Sequence, residues 1–200
     1  MRARHVVPIL LAALAPLGNS SAQAARSSTA IGFVAGGALT YGNLSGGDFS
    51  GSKGAVGFDV NAGVHRARLA ILLGYDRTSH GHDNSSGDFL VSNLYVEPRY
   101  TFGGSARLTP YVAARLGRAM ARFEGSPGLT EDASGYIIGV GCGMLWPLGG
   151  AFSADAALHL ARVSHDYSSD AGGGAYDYST SEKGNRFNVR VGIRWAPTSK

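Results

Sequence analysis

Asp59, Asp76, Glu97, Arg99, Arg115, Asp155, His159, Arg186, Arg190 and Arg194 fall within otherwise apolar, alternating segments. On a β-strand, side chains two apart share a face, so these residues belong to the polar face of each segment. Acids and arginines gathered inside a barrel have two uses: lining a narrow pore, or forming a neutralised polar plug. An unpaired buried charge is costly, so opposite charges are expected to pair. Other residues carry chemistry of different kinds. His80, His82 and Asp83 could ligate a metal, but no rigid frame orients them, and they read as a solvated loop. Asp166, Asp170 and Asp177 lack a calcium-loop pattern. His165, Ser168 and Glu182 supply the imidazole, hydroxyl and carboxylate of nucleophilic acyl transfer. Cys142 is the only cysteine, so a redox role has no partner in the chain and a small apolar role is expected. The chain has no phosphate-binding GK[ST] loop, no zinc spacing and no G-x-S-x-G elbow. No cofactor and no catalytic or metal centre is expected.

The elements that must position these residues show most clearly near the C-terminus. In Asn185–Trp195, Phe187, Val189, Val191, Ile193 and Trp195 alternate with Arg186, Asn188, Arg190, Gly192 and Arg194. One face is apolar and the other strongly cationic. Similar segments of roughly ten residues recur, the length a tilted membrane strand needs. They predict strands at 29–41, 54–64, 69–79, 88–102, 111–123, 135–146, 151–167 and 185–195. Residues 111–123 are the least regular, because Arg118 and Arg122 share parity with Val112, Ala114, Leu116 and Met120. Pro98 cannot donate to a ladder, so a bulge or strand end is expected there. Connections at 42–53, 80–87, 124–132 and 168–184 are long, and those at 65–68, 103–109 and 147–150 are short. That alternation is the pattern of outer-membrane barrels, with short periplasmic turns and longer extracellular loops. The expected fold is all-β, an eight-stranded antiparallel up-and-down transmembrane barrel.

The N-terminus points to export. Met1-Arg-Ala-Arg4 is basic, Val6 to Leu17 is mainly apolar, and Ala22-Gln-Ala24 ends the stretch with small residues. These features read as a signal peptide over residues 1–24, leaving 25–200 as the barrel domain. Removing Arg2 and Arg4 reduces 18 basic residues against 14 acidic ones to a nearly balanced chain. No cluster of basic and aromatic residues implies a nucleic-acid partner. One cysteine provides no disulfide framework.

Two patterns decide which face of the barrel points outward. Gly57, Gly63, Gly74, Gly117, Gly139, Gly141, Gly143 and Gly192 lie mostly on the polar face. A narrow barrel interior needs such small residues beside a few long charged ones. Aromatics fall at both ends of the strands: Tyr100, Phe102, Trp146, Phe152 and Trp195 at one, Tyr41, Tyr75, Phe89, Phe123, Tyr136, Tyr167 and Phe187 at the other. Two such belts suit two membrane–water interfaces. The apolar face should therefore meet lipid. Eight strands leave an interior that side chains nearly fill, which favours a plug over a pore.

With these features, the chain resembles the small outer-membrane β-barrel families that include the OmpA transmembrane domain, OmpX and the opacity-type proteins. The resemblance implies a non-catalytic protein of the cell outer membrane, acting through extracellular loops in surface interaction or envelope integrity. It implies outer-membrane lipid and lipopolysaccharide as partners, and a monomeric state. Val189-Arg-Val-Gly-Ile-Arg-Trp195 resembles the C-terminal signal read by the outer-membrane assembly machinery, though Ala196–Lys200 follows the aromatic. Two other readings stand beside it. One is a narrow porin-like channel. The other is a lipid A deacylase of the PagL type, whose His, Ser and Glu resemble His165, Ser168 and Glu182. That family places His and Ser two apart, whereas here they are three apart.

Overall fold

The computed structural model describes residues 30–46, 53–81, 88–103, 108–124, 130–168 and 179–197. The expected signal peptide lies outside these residues. The elements are β1 (Gly32–Ser45), β2 (Ala55–Arg66), β3 (Leu69–Gly81), β4 (Asp88–Thr101), β5 (Thr109–Glu124), β6 (Thr130–Gly149), β7 (Phe152–Ser168) and β8 (Ser179–Trp195). Each pairs antiparallel with its sequence neighbours, and β8 closes on β1 from Ala35↔Trp195 to Ser45↔Asn185. The architecture is an eight-stranded up-and-down barrel. Closure leaves no strand edge unpaired, which hydrocarbon demands.

Alternation assigns the faces as the sequence implies. In β3, Ala70, Leu72, Gly74, Asp76, Thr78 and His80 are buried, while Leu69, Ile71, Leu73 and Arg77 are exposed. Leu39, Val140 and Leu160 are 70%, 63% and 61% exposed. The irregular β5 follows the same rule: Arg118 and Arg122 point outward with Val112 and Leu116.

The strand ends differ from expectation. β1 runs to Ser45 rather than Tyr41, β6 starts at Thr130 rather than Gly135, and β8 starts at Ser179 rather than Asn185. The ladders continue past the apolar band because backbone pairing does not need the apolar side chains whose alternation bounds the expected strands. Pro98 causes no register shift. It pairs with Ile71 on β3, while the β4–β5 ladder passes from Val96↔Leu116 to Arg99↔Ala113, so the missing donor falls at a local gap. The irregularity lies instead at Pro147/Gly149, where the β6–β7 register shifts. Gly149 and Gly150 turn the chain there with φ of 122° and 58°, values that favour glycine.

Candidate functional site

The barrel interior holds a continuous hydrogen-bonded ion network. Asp59, Asp76, Glu97, Arg99, Arg115, Asp155, His159, Arg186, Arg190 and Arg194 are all buried. Arg115 is its hub. Its Nη1 donates to Asp76 Oδ2 at 2.8 Å, Nη2 to Glu97 Oε2 at 2.7 Å, and Nε to the same oxygen at 2.9 Å. Nη2 also reaches Asp59 Oδ2 at 3.4 Å. The guanidinium carbon stands 3.6 Å from the centroid of the Tyr95 ring, and the Tyr95 hydroxyl donates to Asp59 Oδ2 at 2.5 Å.

From this hub the network runs both ways along the barrel. Toward the β2–β3 and β6–β7 turns, Arg99 bridges Glu97 at 2.5 Å and Asp155 at 3.0 Å. Tyr111 donates to Asp155 Oδ1 at 2.6 Å, and Arg190 Nη2 donates to Tyr111 Oη at 3.0 Å and to Asp155 Oδ2 at 3.3 Å. Toward the other end, Arg186 donates to Asp76 Oδ1 at 2.7 Å and to Thr78 Oγ1 at 3.3 Å. Asn93 adds a bond to Asp76 at 2.8 Å. Each carboxylate thus meets at least one arginine, the condition under which buried charge is tolerable. His159 Nε2 lies 3.4 Å from Glu97 Oε2. Arg194 departs from the expected pairing: it is buried, yet makes no ion pair among the described residues, and its Nε and Nη1 have no partner.

Glycines on the inward face make room for the rings. Tyr95 pairs with Gly74 on one side and Gly117 on the other, Tyr111 pairs with Gly143, and His159 with Gly141. Large rings beside residues without side chains fill a small lumen without clash. A void beside Arg115, His159, Arg186 and Asn188 measures only about 10 Å³, at the lower limit for one water. The selection from charged residues missed Tyr95, Tyr111, Asn93 and Thr78 as members. Parity carried the signal: Tyr95 shares a face with Glu97 and Arg99, and Thr78 with Asp76.

The remaining candidates are separate. His80 is buried, with Nε2 3.0 Å from Thr78 Oγ1 and Nδ1 3.0 Å from the Lys53 carbonyl. His82 and Asp83 lie outside the described residues, as do Asp170 and Asp177, and no metal-ligating cluster occurs among the described ones. Ser168 is the last residue of β7 rather than part of a loop; its backbone pairs with Ser179, and that of His165 with Glu182. The side chains of His165, Asp166, Ser168 and Glu182 lie outside the described residues. Cys142 is exposed on the outward face.

That outward face is apolar. Trp146, Phe152, Tyr100, Phe102 and Trp195 are exposed near the short turns, and Tyr41 and Tyr136 toward the other end, with aliphatic residues between. A continuous apolar girdle of this extent needs lipid around it.

No protein-family model matches the chain, and no curated protein sequence matches it. Solved structures do. Neisserial surface protein A superposes with a TM-score of 0.65 at 18% identity, covering 82% of this chain and 96% of that one. The outer membrane protein AlkL in lipid bilayers gives 0.58 at 14% identity, covering 92% and 98%. The outer membrane protein OprG from Pseudomonas aeruginosa gives 0.50 at 12% identity, covering 84% and 96%. The girdle and the closed topology together place the protein in the cell outer membrane, and the chain has the fold of the small eight-stranded outer-membrane β-barrels.

Proposed function

We propose that the protein is a non-catalytic outer-membrane barrel whose plugged interior is structural and whose activity lies at its surface. The observation that carries this reading is the Arg115 hub, which spends its guanidinium on Asp59, Asp76 and Glu97. Arg194 aside, the interior charges are committed to one another and leave no open file of ligands for a solute to follow. The functional surface is then what the barrel presents outside the membrane, chiefly the segments joining β1 to β2, β3 to β4, β5 to β6 and β7 to β8. Surface contacts or envelope integrity are the roles such segments serve. The likeness to a surface protein supports the same assignment. The barrel acts as a monomer in outer-membrane lipid and lipopolysaccharide, and β8 engages the assembly machinery.

The test replaces residues 47–52, 82–87, 125–129 and 169–178 with short Gly/Ser connectors in cells. The replaced protein should still reach the outer membrane, while the surface binding or envelope resistance given by the intact chain is lost. Full retention of those properties would overturn the surface reading. Release of 3-hydroxy fatty acid from lipid A by the purified protein would overturn the non-catalytic one.

A further inference from the structure

The outward wall carries a feature that an inert lipid-facing girdle does not require. A groove of about 480 Å³ crosses β4 away from the short turns, lined in part by Tyr75, Arg77, Leu90, Ser92, Arg118 and Met120. The register explains its shape. Arg77 pairs with Ser92 and Ser92 with Met120, while Tyr75 pairs with Leu94 and Leu94 with Arg118. Ser92 is the small residue between two long ones, and it accepts a 3.1 Å hydrogen bond from Tyr75 Oη. Arg77 and Arg118 thus flank a depression floored by a hydroxyl.

Neither arginine has an acidic partner among the described residues. Asp59, Asp76, Glu97 and Asp155 are buried inside the barrel and engaged by the interior arginines. The wall therefore separates charge: acids are held in, while Arg77 and Arg118 are presented outward. Their depth fixes what they meet. Tyr75, whose ring is tilted against that of Phe58 at a centroid distance of 6.0 Å, and the exposed Tyr136 belong to the aromatic belt at this end. That belt marks headgroup depth. Leu94, between Tyr75 and Arg118 in the ladder, and Val96 and Leu116, two residues further toward the short turns, are exposed and apolar, as an acyl chain requires.

We propose that this groove binds the phosphate-bearing headgroup of a membrane lipid, with Arg77 and Arg118 as the anion clamp. A guanidinium presents a planar fork that matches phosphate oxygens. The Ser92 hydroxyl can add a donor. The acyl chains run down over Leu94, Val96 and Leu116, which favours a lipid over free phosphate. The proposal rests on the membrane placement above and adds a selective site to it.

The test uses the purified protein in phosphatidylcholine nanodiscs, offered bisphosphorylated lipid A or the same lipid after dephosphorylation, with bound lipid counted by native mass spectrometry. Wild type should retain the phosphorylated lipid preferentially, and inorganic phosphate should not displace it. The Arg77→Gln/Arg118→Gln variant should lose that preference by about tenfold, whereas Arg162→Gln, on the outward face of β7, should keep it. Equal retention of the two lipids by wild type would overturn the site whatever the variants do. So would displacement by inorganic phosphate, or an unchanged preference in a folded double variant. Failure of wild type to insert into nanodiscs would overturn the membrane placement, and the site with it.

Discussion

Tyr95 occupies the space that a side chain on Gly74 would need. The residues are backbone partners across β3 and β4, and a Cβ on Gly74 would fall 2.3 Å from Tyr95 Cζ. The ring cannot swing aside freely, because its hydroxyl is held by Asp59 at 2.5 Å and its face lies against Arg115. Gly74→Ala should therefore destabilise the barrel by about 1–3 kcal/mol through overpacking. Gly37→Ala is the control. A Cβ at Gly37 meets nothing within 4 Å, so its effect should stay within about 0.5 kcal/mol. Urea unfolding in phospholipid vesicles measures both.

Arg115 stabilises Asp59, Asp76 and Glu97 together. Arg115→Met should cost about 3–5 kcal/mol, since it leaves buried carboxylates without their main counter-charge. Arg115→Lys should recover only part of that loss. One ammonium cannot reproduce the forked bonds to Asp76 and Glu97 while also covering the Tyr95 ring. The same unfolding assay distinguishes charge from geometry.

The outward face should respond by depth. Val140 lies between the belt residues Tyr136 and Trp146 on β6, and all three are exposed. Val140→Arg should cost about 2–4 kcal/mol in a bilayer, whereas Tyr136→Arg, at the interface, should cost about 0–1 kcal/mol. Equal costs at the two positions would show that no hydrocarbon layer lies against this wall.

Much of this was legible in the sequence, because a period of two assigns faces wherever one side meets apolar surroundings. The inward course of Arg186, Arg190 and Arg194 and the lipid-facing course of Val191, Ile193 and Trp195 follow from β8 alone. Pairing within the lumen does not follow. Arg115 meets Asp76 and Asp59 across the lumen from β3 and β2, and such distances depend on how far each strand is staggered around the barrel. Parity puts Tyr95 on the polar face, but a phenol carries no charge to mark it, or Tyr111, as a member of the ion network, although each hydroxyl serves a buried carboxylate. Arg194 shows the opposite limit: its parity places it inside, and only the structure shows that its Nε and Nη1 meet no partner there. The true ends of β1, β6 and β8 were hidden because ladders beyond the membrane carry no apolar alternation.

The central claim is that the interior network closes the barrel, and single-channel recording in planar bilayers tests it most directly. Wild-type protein, inserted and folded, should give no unitary conductance steps in potassium chloride. An Arg190→Ala/Asp155→Ala variant, which removes two linked members of the network, should admit ions if it remains folded. Stable, ion-dependent openings in the wild type that change with Arg190→Ala would contradict the plug and make the protein a narrow channel.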